Sequence, residues 1–382
     1  MPHRDIHIGH LLHYYFKNKQ LDGLYLSTAI KAFAGSFITI FVPIYLLTLG
    51  FTLREVALFF LISFLIAFLF FSIGLKLNSK IGVKKVMTLG IILSIIYYLL
   101  LNSLSNGNIN YLLVAFVFGI STGIYWAGFH LEFSRFCDKG KEASENSFLS
   151  IFSNISGALG PVIGAVVILE TSFNILFIIS SIFLLISIIP LFFTKNEKTK
   201  FKFSLKNLLK ANKFEKAVAY ETTGFLGIVG GVFWPIFIFI TLEKILSLGI
   251  IVSITTIFGA FFLFFVGKLS DKHEKKVLKT GIISHSFSWV TRIFFISPIG
   301  IFLNNVYTNF SASLIGLPFS KIIYSKSKKS KDVSNYFLFG ELHLLIGRTI
   351  VLLFVILTSS ILWTFIASFG ITFLYFTLLK KR

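Results

Sequence analysis

Long uninterrupted runs of apolar residues, separated by short polar connections, dominate this chain. Within each run the apolar residues follow one another without the two-residue alternation of a half-buried strand, so the runs predict helices. A helix needs about 20 such residues to cross a membrane, and twelve runs reach about that length. The predicted spans are 24–49, 53–77, 83–104, 109–133, 148–169, 172–193, 217–242, 246–269, 277–296, 299–324, 336–358 and 361–379.

The longest polar stretch, 195–216, divides the predicted spans into six and six. Its leucines share one helical face and lysines surround them, so we expect an amphipathic linker on the membrane surface. The predicted organisation is an N-terminal segment 1–22, a six-helix bundle 23–194, the linker 195–216 and a second six-helix bundle 217–382. The fold class expected is an all-α membrane protein with about twelve spans.

Composition excludes a soluble fold. Of 382 residues, 55% are hydrophobic and only 14% are charged, whereas a water-facing surface carries about 25–35% charged residues. The single cysteine, Cys137, excludes an intramolecular disulfide. The chain starts without the pattern of a secretory signal, so the first apolar run is expected to remain as a span.

The net charge of +20 would indicate nucleic-acid binding if it were spread over a soluble surface. Instead, 31 of the 36 basic residues lie in segments that alternate with the spans, as the positive-inside rule requires of cytoplasmic segments. We therefore expect both termini in the cytoplasm, a cell-membrane location and no nucleic-acid partner. The basic segments are 1–22, 76–85, 134–146, 195–216, 268–279, 321–331 and 380–382.

An offset of 192 residues brings the two halves into register. Residues 41–44, FVPI, then meet 233–236, FWPI, and Lys80 and Lys84 meet Lys272 and Lys276. The same offset aligns two sites that lie more than thirty residues apart, and no gap is needed between them. Duplicated halves of this kind are common in membrane transporters, where the substrate site lies between the repeats.

The matched loops resemble the G-x-L-x-D-R-x-G-R-K loop of the major facilitator superfamily. The second copy reads GKLSDKHEKK over residues 267–276, and the first reads LKLNSKIGVK over residues 75–84. The second has Glu274 in place of the later glycine, and the first has Ser79 in place of the aspartate. In the family this loop joins the second and third helices and often the eighth and ninth, where both copies lie here.

The resemblance implies a secondary transporter whose first, fourth, seventh and tenth helices line a central cavity. It also implies that the loops gate the cytoplasmic side. We interpret Asp271 as part of a charge latch between the halves, with a helix cap as the alternative. The gating residues implied by the loop are Ser79, Gly82, Lys84, Gly267, Asp271, Lys272 and Lys276.

A second motif lies in the fifth span, where residues 157–165 read GALGPVIGA. Gly160, Pro161 and Gly164 resemble the G-P-x-x-G-G motif of the family's antiporter branch. Small residues let helices approach closely and proline bends a helix, which suits a gating helix; ordinary packing is the alternative. The branch usually carries an arginine early in the fourth span, but 113–119 contains none, which argues against proton antiport.

Charged residues at membrane depth are costly and usually face a cavity. Lys31 lies about 13 Å into the first span. Glu341 and Arg348 lie seven residues apart on one face of the eleventh span, about 10 Å from each other and too far for a direct pair. We interpret all three as substrate or ion-pathway residues, with structural pairing as the alternative. Glu341 is also the candidate proton carrier.

Other ionisable residues lie nearer the membrane edges. Glu132 and Glu221 lie about one turn from the cytoplasmic edge, where a pathway role and extension of the side chain to water are equal interpretations. Arg292 lies about one turn from the outer edge and is expected to reach water.

Aromatic residues in the spans supply further candidates. Trp126 and His130 lie four residues apart on one face of the fourth span, and Trp234 lies on the seventh. Because the resemblance places these spans at the cavity, we expect contact with substrate. The alternative is packing, or a place in the aromatic belt at the membrane edge.

The resulting function hypothesis is secondary transport of a small, partly apolar molecule by alternating access, with proton-coupled efflux as its specific form. The sequence has no G-K-[ST] phosphate loop for ATP and no His/Cys cluster with metal spacing, so no enzyme activity and no cofactor are expected. The expected partners are the substrate, protons and the lipid bilayer, and the expected state is a monomer. Two alternatives stay open: a lipid or lysolipid translocase of the same fold, and a non-transporting sensor or scaffold.

Overall fold

The computed structural model describes residues 19–107, 109–137, 142–201 and 214–379. Within these ranges the first half of the chain forms six helical spans. They are α1 (Lys19–Ser36 and Val42–Thr48), α2 (Leu53–Ile81), α3 (Val83–Leu104), α4 (Tyr111–Phe136), α5 (Glu142–Gly157 and Gly160–Glu170) and α6 (Phe173–Phe192).

The second half of the described chain forms six more spans. The run Ile245–Phe294 bends at His273, whose backbone is not helical (φ −134°, ψ 45°), and this residue divides it into α8 (245–272) and α9 (274–294). The others are α7 (Phe214–Leu242), α10 (Pro298–Lys328), α11 (Val333–Thr358) and α12 (Leu362–Leu379).

The expected segment 1–22 lies outside the described residues except for its last four, and so do 202–213 of the linker and the side chain of Asp271. The latch expected at Asp271 therefore keeps the status of a prediction. Residues 195–201 are irregular, and α7 begins at Phe214.

The repeated proline marks a break in the same place in both halves. In α1 the helix stops at Ser36 and resumes at Val42, with Pro43 in its first turn. In α7 a π-helical turn at Val229–Phe233 precedes Trp234–Leu242, which has Pro235 in its first turn. Proline fits the first turn of a helix because the amide it lacks would have no partner there.

The alternation of the spans gives the bundle two ends. We call the end that holds the α2–α3, α4–α5, α8–α9 and α10–α11 connections the basic end, because lysine and arginine concentrate there. In the described chain, nine helices are long and apolar enough to cross a membrane. The remaining spans are α1, α9 and α10. In α10 the polar Asn304, Asn305 and Thr308 are buried, so these groups face protein rather than lipid.

At the basic end the α2–α3 turn is held by the segment that follows α6. Gly82 has φ 92°, a conformation that L side chains rarely adopt, and a Cβ there would meet the Asn196 side chain at 2.4 Å. The Asn196 side chain accepts from the Lys84 amide at 3.0 Å and donates to the Ile81 carbonyl at 2.7 Å. Gly82 therefore has a turn-forming role in the first loop motif.

Hydroxyl groups inside the bundle mostly bond within their own helix. Ser63, Ser181, Ser368 and Thr372 are buried, and each donates to the carbonyl four residues earlier at 2.6–2.8 Å. Such bonds satisfy a polar group in an apolar setting without a partner helix. The contacts between these helices therefore depend largely on how closely their side chains pack.

The small-residue motif of α5 lets α5 approach α1 closely. A Cβ added at Gly160 would lie 1.7 Å from Ser36 Oγ, and one added at Gly164 would lie 2.5 Å from the Phe37 carbonyl oxygen. On its other side α5 meets α8, where Ser253 Oγ accepts from the Val162 amide at 2.9 Å. The motif therefore places α5 between α1 of one half and α8 of the other.

Gly160→Val is expected to destabilise the protein by about 1–3 kcal/mol, because the new side chain would overpack the α1–α5 contact. The measurement is thermal unfolding in detergent, followed by reaction of a thiol dye with Cys137, which is buried in the folded protein. Gly370→Val is the matched control, since a Cβ at Gly370 meets no described atom within 4 Å. Equal melting temperatures for the two variants would contradict the prediction.

Candidate functional site

A central cavity lies between the two halves, near the middle of the bundle. It has two adjoining parts of about 540 and 480 Å³, volumes typical of small-molecule sites. Side chains from α1, α4, α7 and α11 line both parts. The residues common to both are Lys31, Tyr125, Trp126, His130, Thr223, Glu341 and Leu344.

Lys31 is the cation that α1 contributes to this cavity. Its Nζ lies 4.2 Å from the centre of the Tyr125 ring, so the ring face provides a partial partner for the ammonium group. Its Nζ forms no ion pair with an acidic side chain within the described chain. The charge of Lys31 is therefore available to a ligand.

Glu341 lies between two basic side chains. Its Oε2 is 3.8 Å from Nη1 of Arg348, and its Oε1 is 3.8 Å from Nε2 of His130. The prediction that Glu341 and Arg348 are too far apart to pair was wrong. The rise per residue gave the distance along the helix axis, but long side chains on a helix lean toward its N-terminus, and Arg348 thereby reaches back to Glu341.

His130 joins α4 to α10 and α11. Its Nδ1 lies 3.0 Å from the Tyr324 hydroxyl, and its ring stacks on Trp126 at 5.3 Å and on Phe337 at 5.0 Å between ring centres. Trp126 is 39% exposed, although it lies in the interior of the bundle. The exposed indole and the imidazole thus form an aromatic wall beside the Glu341 carboxylate.

Contacts between α4 and α10 close the cavity toward the basic end. The Phe133 and Tyr324 rings meet edge to face with centres 4.6 Å apart, and the hydroxyls of Ser134 and Ser327 lie 2.7 Å from each other. Below them Lys328 donates to the Cys137 carbonyl. The two halves of the chain therefore touch on the basic side of the cavity.

Glu132 is absent from the described cavity walls and forms a buried ion pair instead. It is 1% exposed, and its Oε1 lies 3.2 Å from Nζ of Lys84, which is 3% exposed. Lys84 also donates to Gln20 at 2.9 Å and to Thr194. The interpretation of Glu132 as a side chain that extends to water does not hold in the structure, because α3 supplies a closer partner. Lys84 of the loop motif thus ties α3 to α4.

Glu221 and Trp234 also lie away from the central cavity. Glu221 Oε1 contacts His343 Nδ1 at 2.7 Å, between α7 and α11. Trp234 lines a second, adjoining cavity formed mainly by the second half, where its Nε1 donates to Asn305 at 2.7 Å. Trp234 was interpreted as a substrate contact because its helix was expected to line the cavity, with packing as the alternative. Glu221 was left open between a pathway role and extension to water.

The remaining motif residues fall into two groups. Ser79 donates to the Lys76 carbonyl of its own helix, and Lys272 and Lys276 are exposed. Gly267 lies at the contact between the halves, where a Cβ would be 2.9 Å from Ser147 Oγ of α5. The second loop copy therefore contributes a close helix contact and surface charge in the described structure.

Two features escaped the sequence analysis. Arg292, expected to reach water, is only 2% exposed, because the Trp234 ring of α7 and the Trp289 ring of its own helix α9 cover its guanidinium. Tyr324 closes the cavity through His130 and Phe133. The distance of Arg292 from the end of its predicted span indicated only how deep it lies in the membrane. The position of Tyr324 on α10, a helix expected to line the cavity, was the one available signal.

Comparisons with known proteins agree with this architecture. The chain is 22% identical over 338 residues to the uncharacterized protein YqgE of Bacillus subtilis (strain 168), covering 84% of this chain and 78% of that protein. The crystal structure of the human organic anion transporter MFSD10 (TETRAN) superposes with a TM-score of 0.69 over 95% of this chain and 99% of that one, at 12% identity. The shared fold confirms the predicted all-α membrane architecture.

The family model for the Major Facilitator Superfamily matches residues 24–325. The match includes both loop motifs and both halves of the central cavity as far as α10. It confirms the resemblance found in the sequence, and family and fold together point to a multi-pass membrane transporter. The chain belongs to the major facilitator superfamily.

Proposed function

We propose that this protein is a secondary transporter that moves a small organic molecule by alternating access through the central cavity. The observation that carries the proposal is the convergence of Lys31, His130, Glu341 and Arg348 on one cavity between the halves. Buried charges are costly unless a partner or a ligand balances them. Their concentration at one depth supports a binding site rather than lipid-facing packing.

The charges of the cavity favour a substrate with a negatively charged group. Lys31 and Arg348 contribute two positive charges, against the single carboxylate of Glu341 among the described lining residues. Trp126 and Phe337 offer flat apolar surface to the rest of the molecule. MFSD10, which shares the fold, is an organic anion transporter, and this agrees with a negatively charged substrate. Such charged walls favour a small solute over a lipid.

Glu341 is the proposed site of proton coupling. It is the one carboxylate among the described residues that line both parts of the cavity, and Arg348 and His130 contact it. Protonation of Glu341 would release Arg348 for a ligand, so proton and substrate occupancy would be linked. Because proton and anion would then move in the same direction, an inward proton gradient would drive uptake, and this proposed coupling replaces the export expected from the Gly160-Pro161 motif.

We further propose that the basic end faces the cytoplasm. The positive-inside rule supports this orientation, because the α2–α3, α4–α5, α8–α9 and α10–α11 connections at this end belong to the basic segments of the sequence. It places both termini inside, with the bundles 23–194 and 217–382 joined by a cytoplasmic linker.

The test of transport uses purified protein in proteoliposomes that contain a pH-sensitive dye. A panel of anionic, neutral and cationic aromatic solutes is added with and without a pH gradient. We expect anions to move down the imposed proton gradient and to change the dye signal, while empty liposomes give none. Uniform leakage of all solutes, or no protein-dependent movement of any, would refute the proposal.

Cys137 provides a separate test of alternating access, because it is buried beside the α4–α10 closure. Tyr324→Ala removes the ring contact with Phe133 and should raise the rate of maleimide labelling of Cys137 about two- to tenfold, since an aromatic pair contributes about 0.5–1.5 kcal/mol. Labelling is followed by mass spectrometry. Tyr98→Ala, which removes a buried tyrosine of α3, is the control. Equal labelling of both variants would argue against a gate at Tyr324.

A further inference from the structure

A second cavity is lined mainly by α7, α8, α9 and α10 of the C-terminal half, and Ile40 of the first half and Tyr375 of α12 complete its wall. Its volume is about 450 Å³, and it adjoins the central cavity at Thr223 and Phe319. Three glycines in its walls, Gly227, Gly231 and Gly316, face open space, since a Cβ on any of them meets no described atom within 4 Å. The glycines therefore leave room for a ligand rather than for a neighbouring helix.

Arg292 provides the formal charge of this cavity. Its guanidinium carbon lies 3.9 Å from the centre of the Trp289 ring and 4.3 Å from that of Trp234. The side chain is 2% exposed, and its Nε and Nη1 have no hydrogen-bond partner within the described ranges. Among the described residues that line the cavity there is no aspartate or glutamate.

A buried cation without a carboxylate partner is costly. The two indole faces offset part of that cost, but they satisfy none of the N–H groups in the guanidinium plane. Asn305 accepts a hydrogen bond from Trp234 Nε1 and holds that indole in position. The Nε and Nη1 atoms of Arg292 are themselves enclosed, so an anion in the cavity would supply the missing hydrogen-bond acceptor after the Arg292 side chain turns toward it.

We propose that this cavity is a second binding site, for an organic anion whose carboxylate or similar group contacts Arg292. The apolar body of the ligand would lie along the glycine-lined wall between α7 and α10. The site shares its class of ligand with the proposed function but uses different residues. Binding here can therefore be measured whether or not the protein transports.

The two tryptophans beside Arg292 can report binding directly. The chain has four tryptophans, and Trp126→Phe combined with Trp363→Phe leaves only Trp234 and Trp289. This double variant is placed in phosphatidylcholine nanodiscs and titrated with 4-bromobenzoate, whose bromine quenches indole fluorescence. We expect saturable quenching by 4-bromobenzoate, and much weaker quenching by the neutral 4-bromobenzamide.

Four further substitutions in the same background assign the site. Arg292→Gln should weaken 4-bromobenzoate binding about ten- to a hundredfold, as loss of a charged hydrogen-bond donor does. Gly316→Leu should block binding by filling the cavity, whereas Gly370→Leu, which also adds a side chain in open space, should not. Arg348→Ala, in the central cavity, should leave the quenching unchanged.

Several outcomes would overturn the assignment. The first is that the starting background shows no saturable quenching, and the second is that it binds the benzoate and the benzamide with equal affinity. The third is that Arg292→Gln keeps its melting temperature and binds 4-bromobenzoate as tightly as the starting background. If Arg292→Gln does not fold, Gly316→Leu decides the matter, and normal binding by that variant refutes the site. A marked loss of affinity in discs that contain phosphatidylglycerol would identify a lipid headgroup as the occupant and overturn the assignment to a solute.

Discussion

Lys84→Met is expected to destabilise the protein by about 3–5 kcal/mol, because removing one partner of a buried ion pair leaves the other charge uncompensated. Here the stranded group would be Glu132, which is 1% exposed and lies 3.2 Å from Lys84 Nζ. The measurement is thermal and denaturant unfolding in detergent, with Cys137 reactivity as the probe. Lys80→Met, four residues earlier on an exposed position, is the matched control.

The double variant Lys84→Met/Glu132→Gln separates the cost of a stranded charge from the value of the pair. Because a neutral glutamine no longer needs a counter-ion, the double variant should be more stable than Lys84→Met alone. If the change in the free energy of unfolding of the double variant equals the sum of the changes of the two single variants, Lys84 and Glu132 do not act as a pair. Two-state behaviour must hold for this comparison, and coincident transitions by two probes test it.

Arg348→Ala is expected to reduce transport about a hundredfold, since truncating one member of a buried charge pair costs about 2–5 kcal/mol or more. The loss has two parts: Glu341 loses its contact at 3.8 Å, and the cavity loses a cation. Initial rates in proteoliposomes measure it, with the solute that the panel identifies. Lys244→Ala removes a positive charge at an exposed loop position and should transport at the normal rate.

Glu341→Gln tests the coupling role at the same site. The glutamine cannot ionise, so the response of transport to an imposed pH gradient should disappear while exchange of substrate between the two sides persists. Normal transport by both Glu341→Gln and Arg348→Ala across the pH range would exclude these residues from the pathway.

The spans were predictable because lipid imposes a simple length requirement on apolar runs. The 192-residue register also placed Pro43 and Pro235 at equivalent points, and both lie at helix breaks. The sequence could not predict the nearly continuous helix across His273, because its polar residues resemble a loop. The first copy of the same motif does break, at Gly82, where a positive φ and Asn196 stabilise a turn.

The candidate site was predictable only because a charged residue deep in a membrane span is costly to bury and therefore stands out in the sequence. Lys31, Glu341 and Arg348 were found in this way, and the structure places them in the walls of one cavity. Depth does not indicate what a side chain faces, so Glu132 and Glu221 were left open between a pathway role and extension to water, whereas in the structure each pairs with a side chain of another helix. Arg292 was missed for the same reason, since its burial depends on indoles from α7 and α9.

The hydroxyls that bond within their own helices have a consequence for motion. When one helix slides or rotates against another, an interhelical hydrogen bond must break, whereas a bond such as that from Ser368 to Thr364 moves with its helix. Neighbouring spans held in this way can change register with little enthalpic penalty from broken hydrogen bonds. The hydrogen bonds that do cross between helices in the described chain, such as those of Ser134 with Ser327 and Trp234 with Asn305, are the ones that such a movement would break.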